Sequence, residues 1–116
     1  MARYVFVVLT NPTEGNEDDF NEWYTNEHLT DVLKLPGFLS AQRFRFAPKD
    51  PVQTAPYRYL ALYEIETDDL ATTHQNLVDV ARTEQMPFSP AIDDSDLIGW
   101  YFEPITERVV PAKVGS

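Results

Sequence analysis

The 116-residue chain contains no cysteine and is poor in basic side chains. Without cysteine it has no disulfide framework, no thiolate nucleophile and no cysteine-ligated zinc or iron–sulfur centre. Nine lysines and arginines stand against nineteen aspartates and glutamates, so the formal net charge is −10. Because binding to phosphates needs a surplus of positive charge, this balance argues against a nucleic-acid partner and against docking on an anionic membrane.

Long apolar runs and glycine-rich loops are also missing. No stretch approaches the roughly 20 apolar residues that a bilayer-spanning helix requires. The first residues, Met1 to Tyr4, enter a short apolar run without a small-residue cleavage site, so we expect no signal peptide and a cytoplasmic location. The four glycines are scattered and form no phosphate-cradling loop.

Apolar and aromatic residues are plentiful enough for one folded core. They make up 43% and 13% of the chain, and the length is that of one ordinary domain. We therefore expect a single domain over residues 1–104, followed over residues 105–116 by an extended arm of the same domain. The arm carries isolated valines and Pro111, a spacing unlike that of a helix, and we expect it to pack along its own sheet edge or to cross onto a second subunit.

Alternation and helix-end signals predict the element order β-α-β-β-α-β. The predicted strands cover residues 4–9, 38–46, 57–65 and 97–103, and prolines 48, 51 and 56 predict a loop. The first helix is expected to start at the N-cap Asn16 and to stop at Leu35-Pro36-Gly37. The second follows the N-cap candidate Thr67 and runs over about residues 68–82. This order is that of an α+β, ferredoxin-like fold with an antiparallel four-stranded sheet.

Both faces of the predicted first and fourth strands are apolar or aromatic, whereas two helices cover only one face of a four-stranded sheet. A sheet of this kind is expected to stack on a second copy of itself. We therefore predict a homodimer with the sheets face to face, and we place Val8 and Phe102 at its interface.

Several segments resemble the dimeric α+β barrel superfamily, and within it most nearly the EthD-like branch. They are FNEWY at 20–24, EHL at 27–29, PGF at 36–38, SAQRF at 40–44 and WYFEPI at 100–105, which span nearly the whole chain. The resemblance implies a ferredoxin-like subunit, a dimer closed into a barrel and a small-molecule pocket between sheet and helices. Relatives commonly have proline directly after His-Leu. This chain has Thr30 there, so its first helix is expected to continue.

Two residues of the first helix are candidates for chemistry. His28 titrates near neutral pH and could act as a general acid or base, and it stands where the resemblance places a persistent histidine. Tyr24, one turn away, could orient a carbonyl or hydroxyl group of the substrate. The alternatives are structural: His28 could cap the helix end, and Tyr24 could pack in the core.

Four further residues are predicted to contact the substrate: Trp23, His74, Phe46 and Arg43. His74 lies on an apolar helical stripe with Leu70, Leu77, Val78 and Ala81, so it is either a satisfied core residue or a second histidine in the same cavity. Arg43 needs a partner on its half-buried strand face, either acids of a second subunit or an anionic substrate group. No cofactor and no metal ion are expected, because neither histidine has a metal-ligand spacing.

The sequence favours an enzyme that needs no cofactor. We expect a lyase, isomerase or cyclase that acts on a small aromatic or apolar carbonyl compound of a catabolic or biosynthetic pathway. Two alternatives stay open: a non-catalytic accessory protein that binds a ligand of a degradation pathway, and a cofactor-free monooxygenase. The superfamily hosts several chemistries, so the fold alone does not choose among them.

Overall fold

A computed structural model of the chain describes residues 1–47 and 55–112. Part of the predicted proline loop (48–54) and the end of the arm (113–116) lie outside the described residues. The elements are, in chain order, β1 (Ala2–Thr10), α1 (Glu17–Trp23), a π-helical segment (Tyr24–His28), α2 (Leu29–Leu33), β2 (Phe38–Arg45), β3 (Tyr59–Thr67), α3 (Leu70–Val80) and β4 (Ile98–Phe102).

The strands form one antiparallel sheet in the order β2-β3-β1-β4. The ferredoxin-like α+β fold predicted from the sequence is therefore confirmed. The main shift in boundaries is in β3, which begins and ends two residues later than predicted. None of the helices in the described parts of the chain is long and apolar enough to cross a bilayer.

Alternate residues of the strands point to two different faces. The inner face, under the helices, holds buried residues such as Phe6, Ala61 and Tyr63. The open face holds the residues between them, for example Val7, which pairs with Leu62 on one side and Trp100 on the other. Val8 pairs with Ala61 and Gly99, so it lies on the inner face with Phe6. Its predicted place at the dimer interface was wrong, because the helices cover the face of β1 on which Phe6 and Val8 lie.

The first helical region contains a feature that its sequence pattern did not predict. Between α1 and α2 the backbone is π-helical, and the Leu29 N–H donates to the Tyr24 carbonyl five residues earlier. A π-turn holds one more residue than an α-turn, so it changes the direction in which the following side chains point. It contains both candidate residues of the helix, Tyr24 and His28. The region continues past Thr30 to Leu33, as expected from the missing proline.

Both predicted N-caps behave differently in the structure. The Asn16 side chain makes no cap hydrogen bond with the helix and instead donates to Thr13 Oγ1 at 2.8 Å. For α3 the cap is Asp69 rather than Thr67, because Asp69 Oδ1 accepts the Thr72 backbone N–H at 3.1 Å. Thr67 Oγ1 accepts the hydroxyl of Thr73 at 2.8 Å.

The inward side of α3 is rotated from the predicted stripe. Thr73 is buried, whereas His74 and Val78 are exposed. The reason lies at the β3–α3 junction, where the Thr73 hydroxyl is held by Thr67 and by the Asp69 carbonyl. These bonds turn Thr73 toward the sheet, and the neighbouring His74 lies exposed beside Tyr101 at the β4 edge of the inner face.

Candidate functional site

A cavity of about 170 Å³ lies between the inner face of the sheet, the π-helical segment, α3 and the loop that joins α3 to β4. Its walls are almost entirely apolar. The lining residues are Phe6, Val8, Thr10 and Tyr63 of the sheet, Tyr24, His28, Val32, Leu77 and Val78 of the helices, and Ala81, Met86, Phe88, Ile92 and Leu97 of the loop.

His28 is enclosed by aromatic rings and is only 7% exposed. Its ring stacks on Trp23 with 4.8 Å between centroids, and the edges of Tyr24 and Phe88 complete the enclosure. Burial lowers the pKa of His28 to about 4, so the imidazole is neutral at physiological pH. Its Nδ1 atom is buried and has no hydrogen-bond partner among the described residues.

Tyr63 places a second unpaired polar atom at the cavity. Its hydroxyl is buried and makes no hydrogen bond of standard geometry within the described chain, although the Tyr24 hydroxyl lies beside it. Burial, with the neighbouring Tyr24, raises the pKa of Tyr63 well above its ordinary value. Burial also raises the pKa of Tyr24. Both phenols are therefore protonated at neutral pH and are available as hydrogen-bond donors.

Arg43 lies behind Tyr24 and does not line the cavity. Its guanidinium carbon is 4.5 Å from the Tyr24 ring centroid and 5.2 Å from those of Phe20 and Tyr59. It donates to Asn21 Oδ1 at 3.0 Å and to Thr25 Oγ1 at 2.9 Å. These rings and oxygens satisfy the charge within the subunit, so the predicted need for partner acids or a substrate anion was wrong.

Of the other predicted substrate contacts, Trp23 touches the candidate site through His28, whereas His74 lies outside it. Trp23 touches His28, and its indole N–H donates to the Pro87 carbonyl at 3.3 Å, which ties the helix to the loop that carries Phe88. His74 is exposed, and its Nδ1 forms a 2.9 Å hydrogen bond with the Tyr101 hydroxyl. It does not line the cavity, so the two histidines do not converge.

Phe46 is the clearest misplacement among the predicted contacts. It lies just beyond β2, where its backbone N–H donates to the Arg58 carbonyl, and it is absent from the described lining of the cavity. Continuing the alternation of β2, Phe46 lies on the same face as Phe44, and Phe44 pairs with Leu60 on the open face. The strand therefore directs Phe46 away from the helices.

Tyr63 is a lining residue of the cavity that the sequence analysis did not single out as a site candidate. The sequence did contain a signal for it: Tyr63 lies in the middle of a strand and alternates with the apolar residues Ala61 and Ile65. A phenol buried on such a face needs a partner for its hydroxyl. Phe88 and Met86 were also missed, because they lie in a loop with no periodic pattern.

The cavity carries no formal charge at neutral pH among its described lining residues. Nor do three histidine, aspartate or glutamate side chains come together as a metal site within residues 1–47 and 55–112. The arrangement therefore provides a neutral imidazole and phenolic hydroxyls in an apolar enclosure. Those groups are suited to accepting and donating protons to an uncharged molecule.

No protein-family model matches the chain. It is similar to core atranone cluster (CAC) protein 1 of Stachybotrys chlorohalonatus, with 31% identity over 94 residues. That similarity covers 79% of this chain but only 33% of the relative, so the chain spans about a third of the length of the curated relative.

Solved structures with low identity share the fold. The haem-degrader MhuD of Mycobacterium tuberculosis, which has two haems bound in its active site, superposes with a TM-score of 0.63 at 16% identity, over 91% of this chain and 99% of that one. A dimeric ferredoxin-like protein of an uncultured marine organism gives 0.56 at 11%, over 93% and 100%. An EthD family protein of Bacillus halodurans gives 0.53 at 15%, over 90% and 100%. The chain has the ferredoxin-like fold that these proteins share.

Proposed function

We propose that this protein is a cytoplasmic, EthD-like enzyme that moves a proton within a small apolar or aromatic carbonyl compound, as an isomerase or lyase without a cofactor. The observation that carries the proposal is the pair of buried, unpaired polar atoms, His28 Nδ1 and Tyr63 Oη, in two side chains that line an uncharged cavity. A buried polar group without a partner costs about 1–3 kcal/mol, and the oxygen of a bound carbonyl compound would accept a hydrogen bond from the Tyr63 hydroxyl.

In the proposed reaction His28 is the base. With its proton on Nε2, Nδ1 accepts the proton from the carbon next to the substrate carbonyl. The electron pair of the broken C–H bond forms the enolate double bond, and the Tyr63 hydroxyl donates a hydrogen bond to the negative oxygen. The imidazolium then returns the proton to another atom of the substrate, so no atom or electron is gained or lost. Tyr24 holds the imidazole in place from its position between Trp23 and Phe20.

A pKa of about 4 does not disqualify the imidazole as a base. Enzymes that form enolates work with bases of pKa near 4–5 when neutral hydrogen-bond donors stabilise the oxyanion. The donors here are phenols whose pKa burial raises, so they donate without ionising. The low pKa also keeps the base unprotonated over the whole neutral range.

Proton exchange tests this proposal without knowledge of the natural substrate. Acetophenone, cyclohexanone and 2-cyclohexenone would be incubated with the protein in D₂O, and loss of their α-proton signals followed by NMR. We expect the wild type to accelerate exchange of at least one ketone. His28→Gln should lower that rate by about 10²–10⁴-fold and Tyr63→Phe by about 10²-fold. His74→Gln, which changes the histidine outside the cavity, should leave it unchanged. Equal rates in wild type and His28→Gln would contradict the proposal.

The weak basicity of His28 also favours a second candidate, an accessory protein that binds the compound without converting it. In that case a bound ketone would be recovered unchanged and unlabelled after long incubation. A product that forms only in air would instead assign the cavity to a cofactor-free monooxygenase. Similarity to a core atranone cluster protein is compatible with a pathway role for any of the three.

We further propose that two copies of the chain stack through their open faces. This face carries a continuous band of exposed or half-buried apolar side chains, including Val7, Leu62, Trp100 and Phe102. A patch of this kind, placed on a two-fold axis, is complementary to itself. A structural neighbour of the same fold is itself described as dimeric. Light scattering should therefore give about 27 kDa, twice the 13.3 kDa of one chain.

A further inference from the structure

We infer that the cavity selects an uncharged compound with a single ring and one hydrogen-bonding oxygen. This inference rests on the proposed function and narrows it, since it specifies which carbonyl compounds the site can hold. It depends on three properties of the cavity: the absence of charge on its walls, its volume, and its two unpaired polar atoms.

Charge is the first criterion. Among the described residues that line the cavity there is no Lys, Arg, Asp or Glu, and His28 is neutral at pH 7. Two cations lie behind rings of the lining: Arg43 is held behind Tyr24 by Asn21 and Thr25, and Arg82, which pairs with Asp94, lies over the Phe88 ring. A carboxylate that entered the cavity would lose its water without gaining an opposite charge, which is strongly unfavourable. The site should therefore reject anionic analogues of a ligand that it binds.

Volume is the second criterion. Pockets for drug-sized ligands measure about 300–1,000 Å³, whereas an apolar cavity of about 150 Å³ is known to hold benzene. At about 170 Å³, this cavity has room for one six-membered ring with a short substituent. The same limit separates it from the haem-sized ligand of its structural neighbour.

The unpaired atoms are the third criterion. His28 Nδ1 and Tyr63 Oη both belong to side chains of the lining, and the rest of the wall is almost free of polar groups. A ligand oxygen that accepts from the Tyr63 hydroxyl makes a hydrogen bond that no described residue supplies. A hydrocarbon of the same shape leaves it unmade, which costs affinity. One oxygen on an otherwise apolar ring matches this wall.

Titration calorimetry at pH 7 with three probes tests the inference. Acetophenone has one ring and one carbonyl, benzoate replaces the acetyl group by a carboxylate of similar size, and 2-acetonaphthone adds a second ring. We expect acetophenone to bind at least 10-fold more tightly than either of the others. Equal or tighter binding of benzoate or 2-acetonaphthone, or no measurable binding of acetophenone, would overturn the inference.

Two variants connect the selectivity to the cavity. Leu97→Ala removes a wall residue and should improve binding of 2-acetonaphthone, whereas Leu39→Ala, an exposed leucine outside the cavity, should not. Tyr63→Phe should bring the affinity for acetophenone down to that for ethylbenzene, which has no oxygen. If neither variant alters binding, the cavity is not the binding site and the inference is wrong.

The two proposals fail in different ways. Selective binding of acetophenone without any proton exchange would leave the inference standing and remove the enzymatic function. Exchange catalysed equally well on a two-ring or anionic ketone would support the enzymatic function and overturn the inference about selectivity.

Discussion

The two faces of the sheet are built from the same strands but differ in kind. The inner face is aromatic and hydroxylated, with Phe6, Tyr59, Tyr63 and Tyr101 along neighbouring strands. The open face is aliphatic in its centre and aromatic at its β4 edge. Its members are Val5, Val7, Leu9, Phe44, Leu60, Leu62, Ile98, Trp100 and Phe102, in the register of the strand pairs.

Successive side chains of a strand point to opposite faces, so one strand can line a cavity on one face and form an apolar contact surface on the other. On the inner face the polar tips of the side chains do not all find partners, and a space remains between sheet and helices. The open face has an apolar centre, with Gln42 on the edge strand β2 and the ion-paired Arg3, Glu64 and Glu66 at one end. The first face therefore suits a small molecule with a specific polar group, and the second suits a broad apolar contact with another sheet.

The largest expected effect on stability comes from placing a charge on one face or the other at two adjacent residues of β1. Val8→Asp places a carboxylate among the inner residues that contact the core, so it should lower the free energy of unfolding by more than about 4 kcal/mol. Val7→Asp charges the open face instead and should yield a folded monomer of 13.3 kDa. Circular dichroism and light scattering distinguish the outcomes. If both variants unfold, or if both stay dimeric, the assignment of the faces is wrong.

The next effect concerns the inner face alone and appears as a dependence of stability on pH. His28 has a pKa of about 4 in the folded chain against about 6.5 when unfolded, so the unfolded state binds the proton first as the pH falls. Stability should be independent of this group above pH 6.5 and should decline between pH 6.5 and 4. The loss amounts to about 3 kcal/mol once both states are protonated.

Urea unfolding of His28→Gln at several pH values checks this assignment. The variant has no group that titrates at this site, so the decline between pH 6.5 and 4 should become shallower by that amount. His74→Gln is the matched control, because it removes the other histidine and leaves the buried one. An unchanged pH dependence in His28→Gln would show that the imidazole is not held in its neutral form.

Much of this fold could be predicted from the sequence, because it depends on local patterns. The element order follows from strand alternation and helix-end signals, and the hard stop at Leu35-Pro36-Gly37 matches the end of α2. The pattern does not reveal which of two apolar faces the helices cover, and Val8 was misplaced for that reason. That choice is made by tertiary packing around Phe6 and Tyr63.

The candidate site was less predictable than the fold. His28 was chosen as a candidate from its residue type and from the family resemblance, but the π-helical segment that orients it leaves no periodic signal. Leu77, Val78 and Ala81 of the predicted stripe do line the cavity, whereas His74 pairs with Tyr101, a contact that exists only once α3 and β4 are in place. The role proposed for Tyr63 rests on an unpaired hydroxyl, which is a property of the assembled core.

A smaller effect is expected where β4 meets the inner face. A Cβ atom at Gly99 would lie 2.9 Å from Phe6 Cε1 and 3.0 Å from Phe6 Cζ, and the Phe6 ring is stacked on Tyr101 and cannot retreat easily. Gly99→Ala should therefore cost about 1–3 kcal/mol of unfolding free energy in urea.

Gly15→Ala is the comparison for that variant. A Cβ atom there meets nothing within 4 Å, but the backbone has φ +79°, so only the strain of the left-handed conformation remains, about 1 kcal/mol. A Gly99→Ala loss no larger than that of Gly15→Ala would mean that the inner face is not closely packed at this point.

The smallest expected effect concerns the arm that follows β4. Its large apolar residues Ile105, Val109 and Val110 are 92%, 85% and 68% exposed, so the arm does not pack them along its own sheet edge. It continues directly from Phe102 on the open face, where a stacked second copy would meet it. We therefore expect the arm to contact the partner subunit, the second of the two places suggested by its sequence.

Deleting residues 105–116 tests this placement. The apolar residues of the arm are exposed within its own subunit. Adding the deletion to the monomeric Val7→Asp variant should therefore leave the urea midpoint of that variant unchanged. In the otherwise unchanged chain the deletion should weaken dimerisation by about 10-fold, or 1–2 kcal/mol, since partly ordered termini contribute less than buried core residues. Sedimentation over a dilution series gives the dissociation constant. A dissociation constant equal to that of the full chain would show that the arm holds nothing on the partner, and a lower urea midpoint in the monomeric background would place it on its own subunit instead.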